Sequence, residues 1–236
     1  MQSDLRVVDL TATDIDEMMA LERKVCIPLI QASPDTILKR LARGNVMIGV
    51  RWGDTLVGSI GFRHDTFSPD DFQSFPKTFG EFSTPTKKPA TYDAGFVYSV
   101  NVDPEHRTLA VQAEPSKGLR PAGIGKTLVV SAAQRMTQEA CVYLVGDGRP
   151  AFYNGSSDFP QERYDTDAQL KSLLDKCASG HTLSDDEASL LLAYPIFAAY
   201  NKSLGGGLRV AWVIPNFFPA DTPAGGFRVI LYKRLQ

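Results

Sequence analysis

Between Leu119 and Thr127 the sequence reads Leu-Arg-Pro-Ala-Gly-Ile-Gly-Lys-Thr. Arg120, Gly123 and Gly125 make an Arg-x-x-Gly-x-Gly pattern, and Ile124 to Met136 follows with helical spacing. A glycine-rich turn that opens a helix binds anions, because its first N–H groups lack partners and the helix dipole places about half a positive charge there. The pattern therefore predicts a phosphate or pyrophosphate ligand. Gly125-Lys126-Thr127 suggests a nucleotide-hydrolase phosphate loop, but that loop needs a glycine at 120, where Arg120 stands, and Gly118 lies two places too early. Seventeen residues also separate Val102 from Arg120, whereas that loop joins strand to helix directly. The dinucleotide pattern Gly-x-Gly-x-x-Gly fails at Leu128.

The surrounding elements must place this turn. Leu5 to Leu10 reads as a strand, and Thr13 as the cap of a helix with Ile15, Met18, Met19 and Val25 on one face. Ser33-Pro34-Asp35 starts a second helix that stops at Gly44. Val46 to Trp52 and Thr55 to Phe62 flank a Gly-Asp turn and read as an antiparallel hairpin. Phe96 to Val102 is the strand before the anion turn, and residues 103–119 read as a polar connection. Ile124, Leu128, Ala132 and Met136 share one helix face, and Cys141 to Val145 follows as a short buried strand. Later come helices over Thr166 to Cys177, after a Ser184/Glu187 capping box, and from Pro195 to Leu204 before Gly205-Gly206-Gly207. Leu208 to Ile214 and Phe227 to Lys233 close the chain as strands. The order β-α-α-β-β-β-α-β-(αα)-α-β-β predicts one mixed α/β domain over residues 1–236.

Residues 65–93 carry Phe67, Phe72, Phe75, Phe79 and Phe82 among four prolines and show no helical or alternating period. They read as a long loop whose rings either pack over the hairpin or an oligomer interface, or line a substrate pocket.

Val-x-Val-x-Pro at 100–104, then Arg-x-x-Gly-x-Gly, then an amphipathic helix, resembles the GNAT superfamily of acyl-CoA-dependent N-acyltransferases. The resemblance extends to the element order over most of the chain. It implies an α+β fold with a mixed, mostly antiparallel central sheet flanked by helices, and a coenzyme A site on the strand end and helix start. The implied coenzyme contacts are Val100, Asn101 and Val102, then Arg120, Pro121, Ala122, Gly123, Ile124, Gly125, Lys126 and Thr127. The strand Phe96 to Val102 would splay from Cys141 to Val145, and its free backbone would pair with pantetheine. The chain departs from the family pattern in extra segments at about 65–93, 108–119 and 154–193, where the family builds its acceptor site.

The implied activity is acetyl or acyl transfer from acetyl-CoA to a primary amine, by direct attack in a ternary complex. A lysine-like amine has a pKa of about 10.4 and must lose its proton first. The thioester oxygen needs a donor, a role the backbone N–H near Val102 can fill. The leaving thiolate needs an acid, which the family often supplies as a tyrosine after the fifth strand. Tyr200, in Ala-Tyr-Asn-Lys-Ser-Leu-Gly, is the first candidate and Tyr153, in Phe-Tyr-Asn-Gly, the second. Gly146, Gly148 and Pro150 oppose a helix at Tyr153. On the motif strand, Tyr98 or Ser99 can act as a base or hold water, and no Glu lies there. His64 reads as a lone surface histidine and Cys141 as core. The absence of a strand glutamate keeps a second class open, a non-catalytic acyl-CoA-binding or scaffold protein.

Composition narrows the partners. A net charge of −2 over 236 residues argues against nucleic acid. No apolar run approaches the roughly 20 residues of a membrane span, and the first residues show no secretory pattern. Cys26, Cys141 and Cys177 are odd in number and widely spaced, which predicts a reducing, cytoplasmic setting without disulfides. The three histidines form no ligand pair, so no metal is expected. The expected partner is a small-molecule amine, with a homodimer left open.

Overall fold

The computed structural model describes residues 5–26, 31–83, 88–107, 109–111, 122–150, 165 and 167–235. The chain forms two compact units, one of residues 1–65 and 85–141, the other of residues 66–84 and 142–236. Among the described residues no helix is long and apolar enough to cross a membrane.

In the first unit, β1 (Leu5–Asp9), β2 (Val46–Trp52), β3 (Thr55–Asp65) and β4 (Ala94–Val102) pair antiparallel in that order. The hairpin β2–β3 turns at Gly53, whose φ of 60° suits glycine. Helix α1 (Ile15–Val25) follows a 3-10 turn, Ala12–Asp14. The cap is Thr11, not Thr13: Thr11 and Asp14 bond reciprocally, and Thr13 donates its N–H to the Thr11 hydroxyl at 3.3 Å. Helix α2 (Pro34–Ala42) starts on the Ser33 cap as the sequence predicts. Leu10, Met18, Met19, Leu21, Ile37 and Leu56 form the core under these two helices.

Helix α4 (Ile124–Gln138) covers the other face of β3 and β4. Its expected stripe is realised: Ile124, Leu128, Ala132 and Met136 are all buried. Two strand glycines let it lie close. A Cβ on Gly58 would sit 2.6 Å from Ile124 Cγ2, and one on Gly95 would sit 2.5 Å from Met136 Cε. The connection before α4 is more structured than a plain loop. It holds a 3-10 turn at Pro104–His106, and β5 (Ala110–Val111) pairs with β6 (Ala122–Gly123).

In the second unit, β7 (Tyr143–Gly148), β9 (Arg228–Arg234) and β8 (Arg209–Ile214) pair antiparallel, with β9 in the middle. The strand after α4 is thus Tyr143–Gly148, and Cys141 lies buried before it rather than in it. Gly146 and Gly148 belong to this strand. A Cβ on Gly148 would sit 2.5 Å from Phe197 Cε1, so this glycine seats a helix. Helices α5 (Ala168–Ala178), α6 (Asp185–Leu192) and α7 (Pro195–Ser203) share a core with β9 through Leu174, Leu191, Phe197, Val229 and Leu231. Asp167 caps α5, and Ser184 with Glu187 makes the expected box on α6.

The Phe-rich stretch contains a short helix, α3 (Phe79–Ser83), which its prolines concealed. Its rings pack in this second unit. Phe67 meets Tyr143, Trp212 and Tyr232, and Phe82 meets Phe217, with centroids 5.4–5.9 Å apart. Packing is therefore the role of Phe67, Phe75 and Phe82, on the β7–β9–β8 ladder rather than on the hairpin.

Gly58→Ala tests the seat of α4. The added methyl must displace Ile124 in a packed core, so stability to urea should fall by about 1–3 kcal/mol. An unchanged midpoint would show that Ile124 moves aside freely.

Candidate functional site

The start of α4 has the properties of an open anion site. Gly123 is its N-cap with φ −57° and ψ 154°, and no side chain caps the helix. No acidic residue lies in the first turn, and Lys126 is exposed there. Gly123 has ordinary dihedrals, and a Cβ there would touch nothing within 4 Å among the described residues. Packing among those residues therefore does not demand glycine at 123. A Cβ on Gly125 would lie 3.6 Å from Val102 Cγ2, which puts the end of β4 beside the helix start. Ile124 and Thr127 are buried and anchor the turn. Arg120 and Pro121 lie outside the described residues, as does Tyr153.

Strand β4 is irregular at one point. Gly61 pairs with Ser99 and Phe62 with Val97, so Tyr98 is an extra residue, a β-bulge. Beyond it, Val100, Asn101 and Val102 pair regularly with Ile60, Ser59 and Gly58. The bulge changes which residues face α4. Gly95 and Val97 do so before it, and Val100 and Val102 after it. Asn101 faces the other way. Its Nδ2 donates to Glu22 Oε2 at 2.9 Å, and its Oδ1 accepts from the Cys26 thiol at 3.7 Å. Its side chain is thus committed to α1.

Tyr98 also faces α1 and α2. Its ring lies across Gly61, and the Arg40 guanidinium sits 4.4 Å from the ring centroid. Burial raises the phenol's pKa, against the lowering effect of Arg40. That is the wrong direction for a base, so of the two roles read from sequence the holding one fits its surroundings.

At the end of β4, Asp103 is buried and accepts from Lys24 Nζ at 3.0 Å. Burial alone would raise its pKa, but the Lys24 bond, the Glu105 amide and the charges of Lys24 and His106 lower it overall. Asp103, Glu105 and His106 offer ligand atoms within 4.8 Å of one another, a grouping of metal-ligand type. The Lys24 ammonium already lies on Asp103 and on Glu105, at 3.0 and 3.7 Å.

His64 is not a surface residue. It is buried in β3, with Nε2 2.5 Å from Glu139 Oε2 and its ring against Tyr92. The partner is 75 residues away, which hid the pair from local reading.

In the second unit, Tyr200 packs with Phe197 against the helix–sheet core. Burial raises its pKa, and the charge of Asp147 adds to the effect. The phenol therefore stays protonated, as a proton donor must. Asp147 on β7 belongs to a buried ion network that sequence reading missed. Arg228 bridges Asp147 at 3.2 Å and Asp221 at 2.8 Å, and Arg149 holds Asp221 at 2.6 Å. The available signal was the presence of Asp147 and Arg228 inside otherwise apolar strand patterns.

The His64 environment fixes a pH dependence. Burial, the largest influence, lowers its pKa from 6.5, and the Glu139 bond opposes this only in part. The folded state then favours the neutral ring. Its stabilising share is complete above pH 6.5 and is lost as pH falls below that value. Urea stability of the wild type should decline on going from pH 7 to about pH 5, and His64→Gln, which keeps a donor for Glu139, should decline less. Equal slopes in the two proteins would exclude His64 as the cause.

No family model matches the sequence, and no curated protein does. Solved structures do match. The loading GNATL domain of CurA from Lyngbya majuscula aligns over 98% of this chain and 98% of its own, with TM-score 0.63 and 16% identity. The GphF GNAT-like decarboxylase in complex with isobutyryl-CoA aligns over 98% of this chain and 100% of its own, with TM-score 0.62 and 19% identity. The ribosomal-protein-S18-alanine N-acetyltransferase from Escherichia coli covers 98% and is covered over 94%, with TM-score 0.52 and 12% identity. These identities speak for architecture, and in architecture the result is plain: the chain has the mixed α/β fold of the GNAT superfamily.

Proposed function

We propose that this protein is an acyl-CoA-dependent N-acyltransferase that moves an acetyl group from acetyl-CoA to the primary amine of a small molecule. The observation that carries this reading is the start of α4: a 15-residue helix with a glycine N-cap that no described side chain caps or approaches within 4 Å of its Cβ position, with the β4 end beside it, in a GNAT fold. Its free N–H groups and Lys126 suit a pyrophosphate. Arg120 completes the reading from sequence alone. Acetyl-CoA is a co-substrate here, no metal takes part, and the protein acts in the cytoplasm.

In this reading the amine, once neutral, attacks the thioester carbon directly in a ternary complex. A new C–N bond forms as the C–S bond breaks, and Tyr200 donates its proton to the departing thiolate. Water takes the amine's proton, since β4 offers no carboxylate. GphF is named a GNAT-like decarboxylase and binds isobutyryl-CoA, which puts acyl groups other than acetyl among those to be tried.

A second reading, a non-catalytic acyl-CoA-binding protein, draws on the same lack of a β4 carboxylate together with the raised pKa of Tyr98. Thiol release from acetyl-CoA over a panel of amines separates the two, since a silent binder shows none.

Titration calorimetry with acetyl-CoA tests the shared part. Binding is expected, and its absence at millimolar ligand would end both readings. Gly123→Asp should abolish binding, because the carboxylate would occupy the space for the pyrophosphate with the wrong charge. Tyr200→Phe should leave acetyl-CoA affinity within about twofold while turnover drops by about 10- to 100-fold. Unchanged turnover would move the acid role to Tyr153 or to solvent.

A further inference from the structure

Strand β9 alternates beneath α7. Val229 and Leu231 enter the core shared with Phe197, whereas Tyr232 turns the other way, onto Phe67. Lys233 comes next on the α7 face, where the alternation continues an apolar row. A half-buried ammonium there needs partners. Lys233 Nζ donates to the Leu204 carbonyl at 2.5 Å and to the Gly206 carbonyl at 2.8 Å. These carbonyls stand at the C-terminal end of α7, so the cation also meets the negative end of the helix dipole. Among the described residues its charge is spent on carbonyls and on no carboxylate.

The turn after the helix delivers those carbonyls. Gly205, Gly206 and Gly207 have φ of 75°, 85° and 77°. A Cβ on any of them would meet nothing within 4 Å among the described residues, so the left-handed backbone, not crowding, requires glycine here. The Gly206 N–H donates to the Asn201 carbonyl at 2.8 Å, and Asn201 Oδ1 accepts from the Leu208 N–H at 3.0 Å. The turn is thereby closed back onto α7. The Leu204 N–H donates to the Tyr200 carbonyl at 3.0 Å. One residue, Leu204, therefore joins Lys233 to Tyr200, accepting from the first and donating to the second.

Apolar packing does not fix α7 in every direction. Phe197 over Gly148 sets how deep the helix lies, but apolar contact is non-directional and leaves the helix free to slide or turn slightly. Hydrogen bonds are directional, and two from one donor to successive parts of the helix end remove that freedom. We propose that Lys233 is a positioning residue for Tyr200: by holding the Leu204 and Gly206 carbonyls it fixes α7 along and about its axis, and so sets where the phenol lies. An ammonium suits this task because its three N–H groups can serve two carbonyls at once. That the phenol then protonates a departing thiolate rests on the acyl-transfer reading; the positioning itself does not.

Two measurements on the full chain test this. Lys233→Met keeps the apolar stem and removes the donors. In protein labelled with meta-fluorotyrosine, the Tyr200 fluorine resonance is assigned by its loss in Tyr200→Phe. Lys233→Met should shift or broaden that resonance and leave those of Tyr92 and Tyr98, in the first unit, in place. Lys233→Arg, which keeps donors, should bring it back toward the wild-type position. An unmoved Tyr200 resonance in Lys233→Met overturns the proposal. If thermal melting shows that Lys233→Met does not fold, Lys233→Gln, shorter and uncharged, takes its place. The second measurement is thiol release from acetyl-CoA. Lys233→Met should lower kcat by about 10-fold, with KM for acetyl-CoA within about twofold, and should cost nothing further in a Tyr200→Phe background, because both changes act through one group. A fall that adds in full to that of Tyr200→Phe places the effect of Lys233 elsewhere and also overturns the proposal. A moved resonance with no thiol release in the wild type, or with undiminished release in Tyr200→Phe, would sink the reading of Tyr200 as acid and leave the seat made by Lys233 standing.

Discussion

Helix α4 can lie where it does because β3 and β4 carry glycine beneath it. At Gly58 and Gly95 any side chain would enter the space of Ile124, Leu128 or Met136. Glycine weakens a strand, both by its entropy and by leaving no side chain to pack. Here that loss is offset by the buried stripe of α4, which fills the space with Leu128, Ala132 and Met136. The close seat also fixes where the helix begins. With Ile124 pressed against Gly58, and Gly58 paired to Val102, the first turn of α4 must start beside the end of β4. The first amides of α4 and the strand end are thus brought together by packing.

Between Val97 and Val102 the sheet could not be apolar toward α4 and polar toward α1 and α2 if β4 were regular. In an unbroken strand Phe96, Tyr98, Val100 and Val102 would all face one way. The extra residue at Tyr98 resets the alternation, so that valines face α4 while Tyr98, Ser99 and Asn101 face α1 and α2. The apolar face supplies burial. The polar face carries buried charge, which costs free energy unless it is paired, and Glu22, Asn101 and Cys26 meet that demand by bonding in series. Burial pushes the Cys26 thiol up to about 12, so it stays a donor to Asn101 rather than a nucleophile.

What could be read from the sequence was local. The α4 stripe, the Gly53-Asp54 hairpin, the Ser33 cap and the Ser184 box each depend on residues within a few places of one another, and each appears as expected. What could not be read depends on distant partners. The bulge exists because Gly61 pairs with Ser99, a relation with no mark in β4 itself. His64 looks isolated until Glu139 folds against it. Cys141 and Val142 are apolar and extend the strand pattern, yet the ladder of β7 begins at Tyr143, opposite Arg234. Thr11 outcompetes Thr13 as a cap because only it has an acidic residue three places on, Asp14, to return the bond. The helix start and Tyr200 are legible as motif and context, whereas Arg40, Asn45 and Arg63 sit in ordinary amphipathic patterns and only the fold brings each of them near Tyr98.

The second unit repeats the glycine device for a different end. Gly148 in β7 admits Phe197, and Phe197 carries Tyr200 one helical turn further along α7. On the same strand, Asp147 points to the opposite face and is held by Arg228, which also holds Asp221 in the β8–β9 connection. Asp147 keeps a raised pKa because burial outweighs its single arginine, while Asp221, gripped by Arg149 and Arg228 together, is lowered despite burial. Two carboxylates in one network are thereby driven apart by the number of guanidinium groups each receives. Adjacent residues of β7 therefore do separate work: Gly148 sets the depth of the helix that bears Tyr200, and the charge of Asp147 adds to the burial that raises the tyrosine's pKa. A change at either would reach the tyrosine, through packing in one case and through charge in the other.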